Sequence, residues 1–401
     1  MSTVQATRSY RGLTWDHPRG HVALERAARD ARAHGLDLRW ERQPLEGFES
    51  HPIEDLAERY DLIVLDHPHI GDAVAGGCLQ PLESLFDAAS LAAWRAQSIG
   101  RSFDSYRYAG TQWALPLDAA TQVAVAREDR LEGALPRDWA EVLALARRQP
   151  VCLSLAGPHA ALTLFSMAAA HGDAPAAGDP DRLFTGEGAG EGAVAAWELL
   201  RELHALAFGG WAALNPIGIL DAMARQPEAV YCPLVYGYVN YAVAGDGRQP
   251  LHFADVPAGP TVQGVHGVQG AQGPRLGSTL GGTGLAVSRR ATVDDALRRH
   301  LAALMSPAMQ RDFIPFADGQ PSAREAWADP RVNAAWNGFY ARTQATLEQA
   351  IVRPRHPGYI PFQTEASALV RDALAQGLAA APALAALQAL YARRRPAGSE
   401  V

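Results

Sequence analysis

Polar and apolar positions near the start of the chain fall into three successive patterns. Arg11 to Thr14 reads as a strand that empties into a polar, aromatic loop, Trp15-Asp16-His17-Pro18-Arg19-Gly20. Val22 to His34 then carries a helical stripe through Leu24, Ala27, Ala28 and Ala31, which Gly35 stops. Leu36, Leu38 and Trp40 alternate as a second strand, and Asp61 to Leu65 (DLIVL) is a continuous apolar run of the kind buried on both faces of a parallel sheet. Together these predict a β-α-β beginning. Ligands of open α/β sheets bind beyond the carboxyl ends of strands, so the loops Trp15–Gly20 and Asp66–Ile70 (DHPHI) are expected side by side at that edge.

Farther along, Trp113, Leu115 and Leu117 alternate like one face of a strand, but Pro116 removes a ladder donor and Asp118 places a carboxylate where the run breaks. The pattern predicts a strand interrupted at a hinge crossing, with Val123 to Ala126 as a second short strand. An edge strand with a proline is the alternative. Pro136 to Trp139 open an amphipathic helix with Val142, Leu143 and Ala146 on one face. From Ala140 to Leu206 the reading is mostly helical, broken by a Gly/Asp/Pro loop at His171 to Gly192. The helix Ala193 to Ala207 buries Val194, Trp197, Leu200, Leu203 and Leu206. A short strand from Ala229 to Cys232 ends at Pro233 and leads into Tyr236, Tyr238, Asn240 and Tyr241. Leu251 to Pro257 reads as a second crossover, and Gly259 to Gly284 as a glycine-rich loop and strand entry without a fixed period.

At 401 residues the chain calls for two or three domains. A net charge of -7 argues against nucleic acid or an anionic membrane as partner. Every basic residue is arginine, which excludes lysine-dependent covalent chemistry. Cys78, Cys152 and Cys232 are odd in number and widely spaced, so no disulfide framework is expected. No run reaches the roughly 18 apolar residues of a membrane span. Met1 to Arg11 has no apolar core of an export signal; the signal was removed, the start lies upstream, or the protein works in the cytoplasm.

Candidate chemistry clusters in the loops. The indole of Trp15 beside Asp16, His17 and Arg19 suits a sugar, whose C–H faces pack on aromatic rings while its hydroxyls need fixed partners. Equally, Trp15 is core and Asp16 caps the following helix. Asp66, His67 and His69 form a second cluster, but H-x-H without a third ligand does not define a metal site, and none is expected. Tyr236 and Tyr238 suit either a ligand wall or an ordinary strand face. Gly282 and Thr283 bring backbone amides to a ligand or form a plain turn. Arg353 and Arg355 in RPRHPGY suit a carboxylate or phosphate as well as sugar hydroxyls, or else form helix-end and surface ion pairs. No nucleophile elbow, zinc-protease motif, Walker loop or dinucleotide fingerprint appears, so no catalytic residue and no cofactor is expected. A hydrolase using carboxylates such as Asp16 and Asp66 is the rival of another class.

Four stretches in order resemble one family. GTQWALPLDAATQVAVAREDRL with the following LPRDWAEVLALA, GSTLGGTGLAVS (277–288), ALRRHLAALMSPAMQ (296–310) and DGQPSAREAWADPRV (318–332) are similar to segments of the type II, family 1 extracellular solute-binding proteins of ABC importers. The resemblance runs from about residue 10 to about residue 390. It implies an α/β fold of two Rossmann-like lobes with discontinuous chain crossings: 1–116 with 257–312, and 117–256 with 313–401, crossing near 113–118, 252–258 and 311–316. It further implies that Asp118 and Gln122 contact solute, with a buried structural carboxylate as the near-equal alternative; Arg324, in the family-like Pro-Ser-x-Arg, suits a carboxylate, a phosphate or sugar hydroxyls, or else a surface ion pair. A monomer is expected to close on one small solute, a sugar or a small acid, and to present it to a membrane permease from the periplasm. Because some relatives bind ferric ion through tyrosines, that ligand stays open as an alternative.

Overall fold

The computed structural model describes residues 8–185, 190–260, 275–396 and 398. Parts of three sequence readings lie outside them: the signal reading at 1–7, the loop at 186–189 and the glycine-rich stretch at 261–274. The strands described are β1 (Ser9–Trp15), β2 (Asp37–Gln43), β3 (Leu62–Leu65), β4 (Arg107–Tyr108), β5 (Thr111–Gln112), β6 (Ala114–Ala126), β7 (Tyr231–Tyr236), β8 (His252–Ala254) and β9 (Leu280–Val287).

The chain forms two compact units, each assembled from separated segments. Unit 1 holds 1–119, 282–335 and 355–357; unit 2 holds 120–281, 336–354 and 358–401. In unit 1, β1 pairs in parallel with β2 and with β3, and β9 runs antiparallel to β3. The helix Pro18–Ala31 returns the chain from β1 to β2, its first turn started by Pro18 and capped by His17, whose Nδ1 accepts from the Arg19 N–H. It buries Ala23, Leu24, Ala27 and Ala28 against Tyr10, Leu38, Leu62 and Val64. β3, buried along its whole length, is the two-sided strand that DLIVL predicts.

Unit 2 builds its core around the helix His159–Ala170, buried at every position. Helices Glu191–Leu206, Tyr359–Ala375 and Ala380–Arg394 pack into the same cluster. β6 pairs antiparallel with both β7 and β8.

The structure corrects several sequence readings. Pro116 does not interrupt a strand: β6 is continuous over 13 buried residues, absorbing the separate strand expected at Val123. Beside Pro116 the Ser322 hydroxyl donates to the Pro116 carbonyl and the Ala119 N–H to the Gln320 carbonyl, so the contacts to 320–322 use the proline's carbonyl and need no N–H from it. Pro233 likewise sits inside β7. The register slips there, with Val123 opposite Val235 but Val125 opposite Cys232, and this bulge accommodates the proline. On Glu191–Leu206 the buried stripe starts at Ala193, whereas Val194 is exposed and Leu206 only half-buried.

The unit boundaries also differ from those expected. The described residues 257–260 and 275–281 belong to unit 2, where a Cβ on Gly277 would lie 2.1 Å from the backbone nitrogen of Ala170, so Gly277 packs directly on the central helix. Residues 313–335 belong to unit 1, bound to the start of β6 through Gln320 and Ser322. The passages therefore fall at 119/120, 281/282, 335/336, 354/355 and 357/358, and not near 252–258 or 311–316.

Candidate functional site

Because β1 and β3 are parallel neighbours in register at Gly12–Leu62 and Leu13–Ile63, their carboxyl ends deliver Trp15 to Arg19 and Asp66 to His69 to one edge of unit 1. Trp15 is core-like, 3% exposed, packed on Phe48 with ring centroids 5.2 Å apart, and its Nε1 finds no acceptor. Asp16 is exposed and lies 3.4 Å from Arg42, and the capping role expected of it is filled by His17. Arg19 reaches back to β6 and grips Asp118: its Nε lies 2.9 Å from one carboxylate oxygen while Nη2 holds the other. Both side chains are at least nine-tenths buried, which makes this a desolvated, fork-on-fork pair. Asp66 caps the turn His67–His69 by accepting from the His67 N–H at 2.8 Å, and its Oδ1 is 3.1 Å from His67 Nδ1. His67 and His69 are both buried, His67 edge-on to Tyr106.

Arg355 closes the same unit. It donates to the carbonyls of Asp104 and Ser105 at 2.9 and 3.2 Å, as well as to that of Arg107. Its own carbonyl sits so near Gly71 that a Cβ there would come within 1.7 Å. Thr283 is buried with an unpartnered hydroxyl, next to Gly282 at a φ of +90°. Arg324 opens the short helix Arg324–Ala328 and is exposed.

Unit 2 gathers a buried hydroxyl network. Gln122, without exposure, accepts at Oε1 from the hydroxyls of Ser166 (2.5 Å) and Thr279 (3.0 Å). The Ser278 hydroxyl donates to the Gln122 carbonyl at 2.7 Å, and the Thr121 hydroxyl to the Thr279 carbonyl at 2.9 Å. The phenol of Tyr236 lies 3.1 Å from Thr279 Oγ1, and its half-exposed ring meets His159 edge-on. Tyr238 is buried, and Arg353, also buried, donates to Gln363 at 3.0 Å.

Sequence reasoning missed Tyr106, Thr121, Ser166, Ser278 and Thr279. The last two lie within GSTLGGTG, where the glycines drew the reading to the backbone and away from the hydroxyls. Among the described residues no group of three or more His, Cys, Asp or Glu could hold a metal ion, and no helix is long and apolar enough to cross a membrane.

Two α/β units built from interleaved segments define a type II periplasmic-binding-protein fold, and solved structures share it. A solute-binding protein of Agrobacterium radiobacter K84, in complex with ribitol, is 18% identical with a TM-score of 0.75, covering 96% of this chain and 98% of the other. Maltose-bound MalE3 of T. maritima gives 15% identity and 0.76 over 96% and 98%. A protein of Agrobacterium vitis S4 with bound D-mannitol gives 15% and 0.72 over 96% and 97%. The chain belongs to the bacterial extracellular solute-binding protein family, whose model matches residues 54–339. No curated protein matches it by sequence.

Proposed function

We propose that the protein is the solute-binding component of an ABC importer, that it acts outside the cytoplasmic membrane without catalysing a reaction, and that its solute is a polyol or sugar. The observation that carries this reading is the fold, shared over nearly the whole chain with proteins solved bound to ribitol, maltose and D-mannitol. The arginines support a neutral solute over an acidic one. Arg353 is bound to Gln363 and Arg355 to backbone carbonyls, so both guanidinium groups of RPRHPGY already hold partners. In unit 1 we place solute contact at Asp66 and Thr283, and in unit 2 at Tyr236 and Tyr238. Gln122 and Asp118 act on the solute through the residues they hold.

Thermal-shift and calorimetric titration with ribitol, D-mannitol, maltose and small carboxylates tests the reading. A ligand of the native state adds about 2.7 kcal/mol of stability at a hundred times its Kd. One polyol or sugar is expected to raise Tm by several degrees and to bind one-to-one without turnover. Response to carboxylates alone would move the assignment to an acidic solute. With the cognate polyol, Asp66→Asn and Tyr236→Phe are each expected to weaken binding at least tenfold.

A further inference from the structure

Unit 1 carries a cavity of about 510 Å³ away from the β1 and β3 carboxyl ends, where the end of helix Pro18–Ala31 and helix Asp295–Leu304 meet the π-helical turn Ala308–Phe313. Alanines create it: Ala27 and Ala31 on one helix and Ala296 and Ala303 on the other leave space that larger side chains would fill. Phe313 adds an aromatic surface. The volume lies in the range of small-molecule sites, roughly 300–1,000 Å³.

Its polar groups are few and unspent. His300 lines the cavity while only 8% exposed, and its Nε2 has no hydrogen-bond partner. That nitrogen is itself covered, so His300 adds its ring to the cavity wall. Arg299, one position earlier, is exposed and forms no ion pair or hydrogen bond among the described residues, and Asp30 on the facing helix is equally unengaged.

We propose that this cavity is a second ligand site, separate from the solute site, taking a small amphipathic anion: an aromatic or branched aliphatic body with one carboxylate or sulfonate. The body lies against the alanines, Phe313 and the His300 ring, and the anionic head pairs with the Arg299 fork. Asp30 disfavours a second negative charge.

Fluorescence titration with 8-anilinonaphthalene-1-sulfonate, displaced by 4-phenylbutyrate, tests the site in the intact protein. Saturable one-to-one binding is expected. Ala303→Trp, which fills the cavity from an exposed position, and Arg299→Glu are each expected to weaken it at least tenfold, with circular dichroism and Tm unchanged. The neutral isostere 4-phenylbutanol is expected to displace the probe at least tenfold less well than the acid. Absence of saturable binding, wild-type affinity in both variants, or equal displacement by alcohol and acid would overturn the proposal. The proposed polyol or sugar reading stands or falls separately, on the titrations with those solutes.

Discussion

Arg19 and Asp118, both read as solute contacts from sequence, are tied to each other in the fold. Two opposite charges, both almost wholly removed from water, are tolerated because the guanidinium fork matches the carboxylate in geometry and charge. Removing one partner strands the other, so Asp118→Ala is expected to lower unfolding stability by about 3–5 kcal/mol in urea titration. The double variant Arg19→Met, Asp118→Leu should recover much of that loss, since neither charge then remains buried. A loss in the double variant as large as in the single one would contradict this account. Gly71 is a second such position. The Arg355 carbonyl occupies the space of a side chain, so Gly71→Ala should destabilise by about 1–3 kcal/mol, read by the same titration.

Elements with a clean period were legible from sequence, and elements containing proline were not. The Leu24–Ala31 stripe and the DLIVL run identify their helix and strand because 3.6-residue and continuous apolar patterns follow from which faces must be covered. Proline in a strand is ambiguous. Whether Pro116 and Pro233 end a strand depends on whether the neighbouring segment needs their N–H, and that neighbour lies far away in sequence, at Ser322 for the first and Val123 for the second. The Ser-Pro-x-x-Q turn belongs to the same class. Gln310 donates to the Leu304 carbonyl and accepts from the N–H groups of Ser322 and Ala323, which ties the end of one helix to the following loop. Gln310→Leu leaves those buried groups unmatched and is expected to cost about 1–3 kcal/mol, measured by chemical unfolding.

At the scale of the whole molecule, burial decides how stability responds to pH and which thiols react. Burial pushes His300 down to about 4, and lowers His21 and His356 in the same direction. A histidine kept neutral by the fold but protonated near 6.5 when unfolded stabilises the native state above that value, and the contribution is lost as pH falls toward the folded value. For His300 the loss between pH 6.5 and 4 is about 3 kcal/mol. The acid limb of the stability curve should therefore flatten in His300→Phe. Asp30 and His34, which share its cavity, belong in the control set. Of the cysteines, Cys152 and Cys232 are fully buried neighbours whose thiols hydrogen-bond, which raises Cys152; Cys78 is half-buried and raised by burial and by Glu54 and Glu58. A thiol reagent at pH 8 should titrate one thiol slowly in the native protein and three in urea.

The sequence by itself determined the β-α-β opening, the placing of the loops after β1 and β3 on one edge, and the family, because each rests on local periodicity or on short ordered motifs. Tertiary structure alone decided that β6 runs unbroken, where the chain passes from unit to unit, that Asp118 and Gln122 are held inside, and that alanines on two distant helices face a common cavity. Those outcomes depend on which segments meet across hundreds of residues, and a buried group's role is set by the partner it finds there.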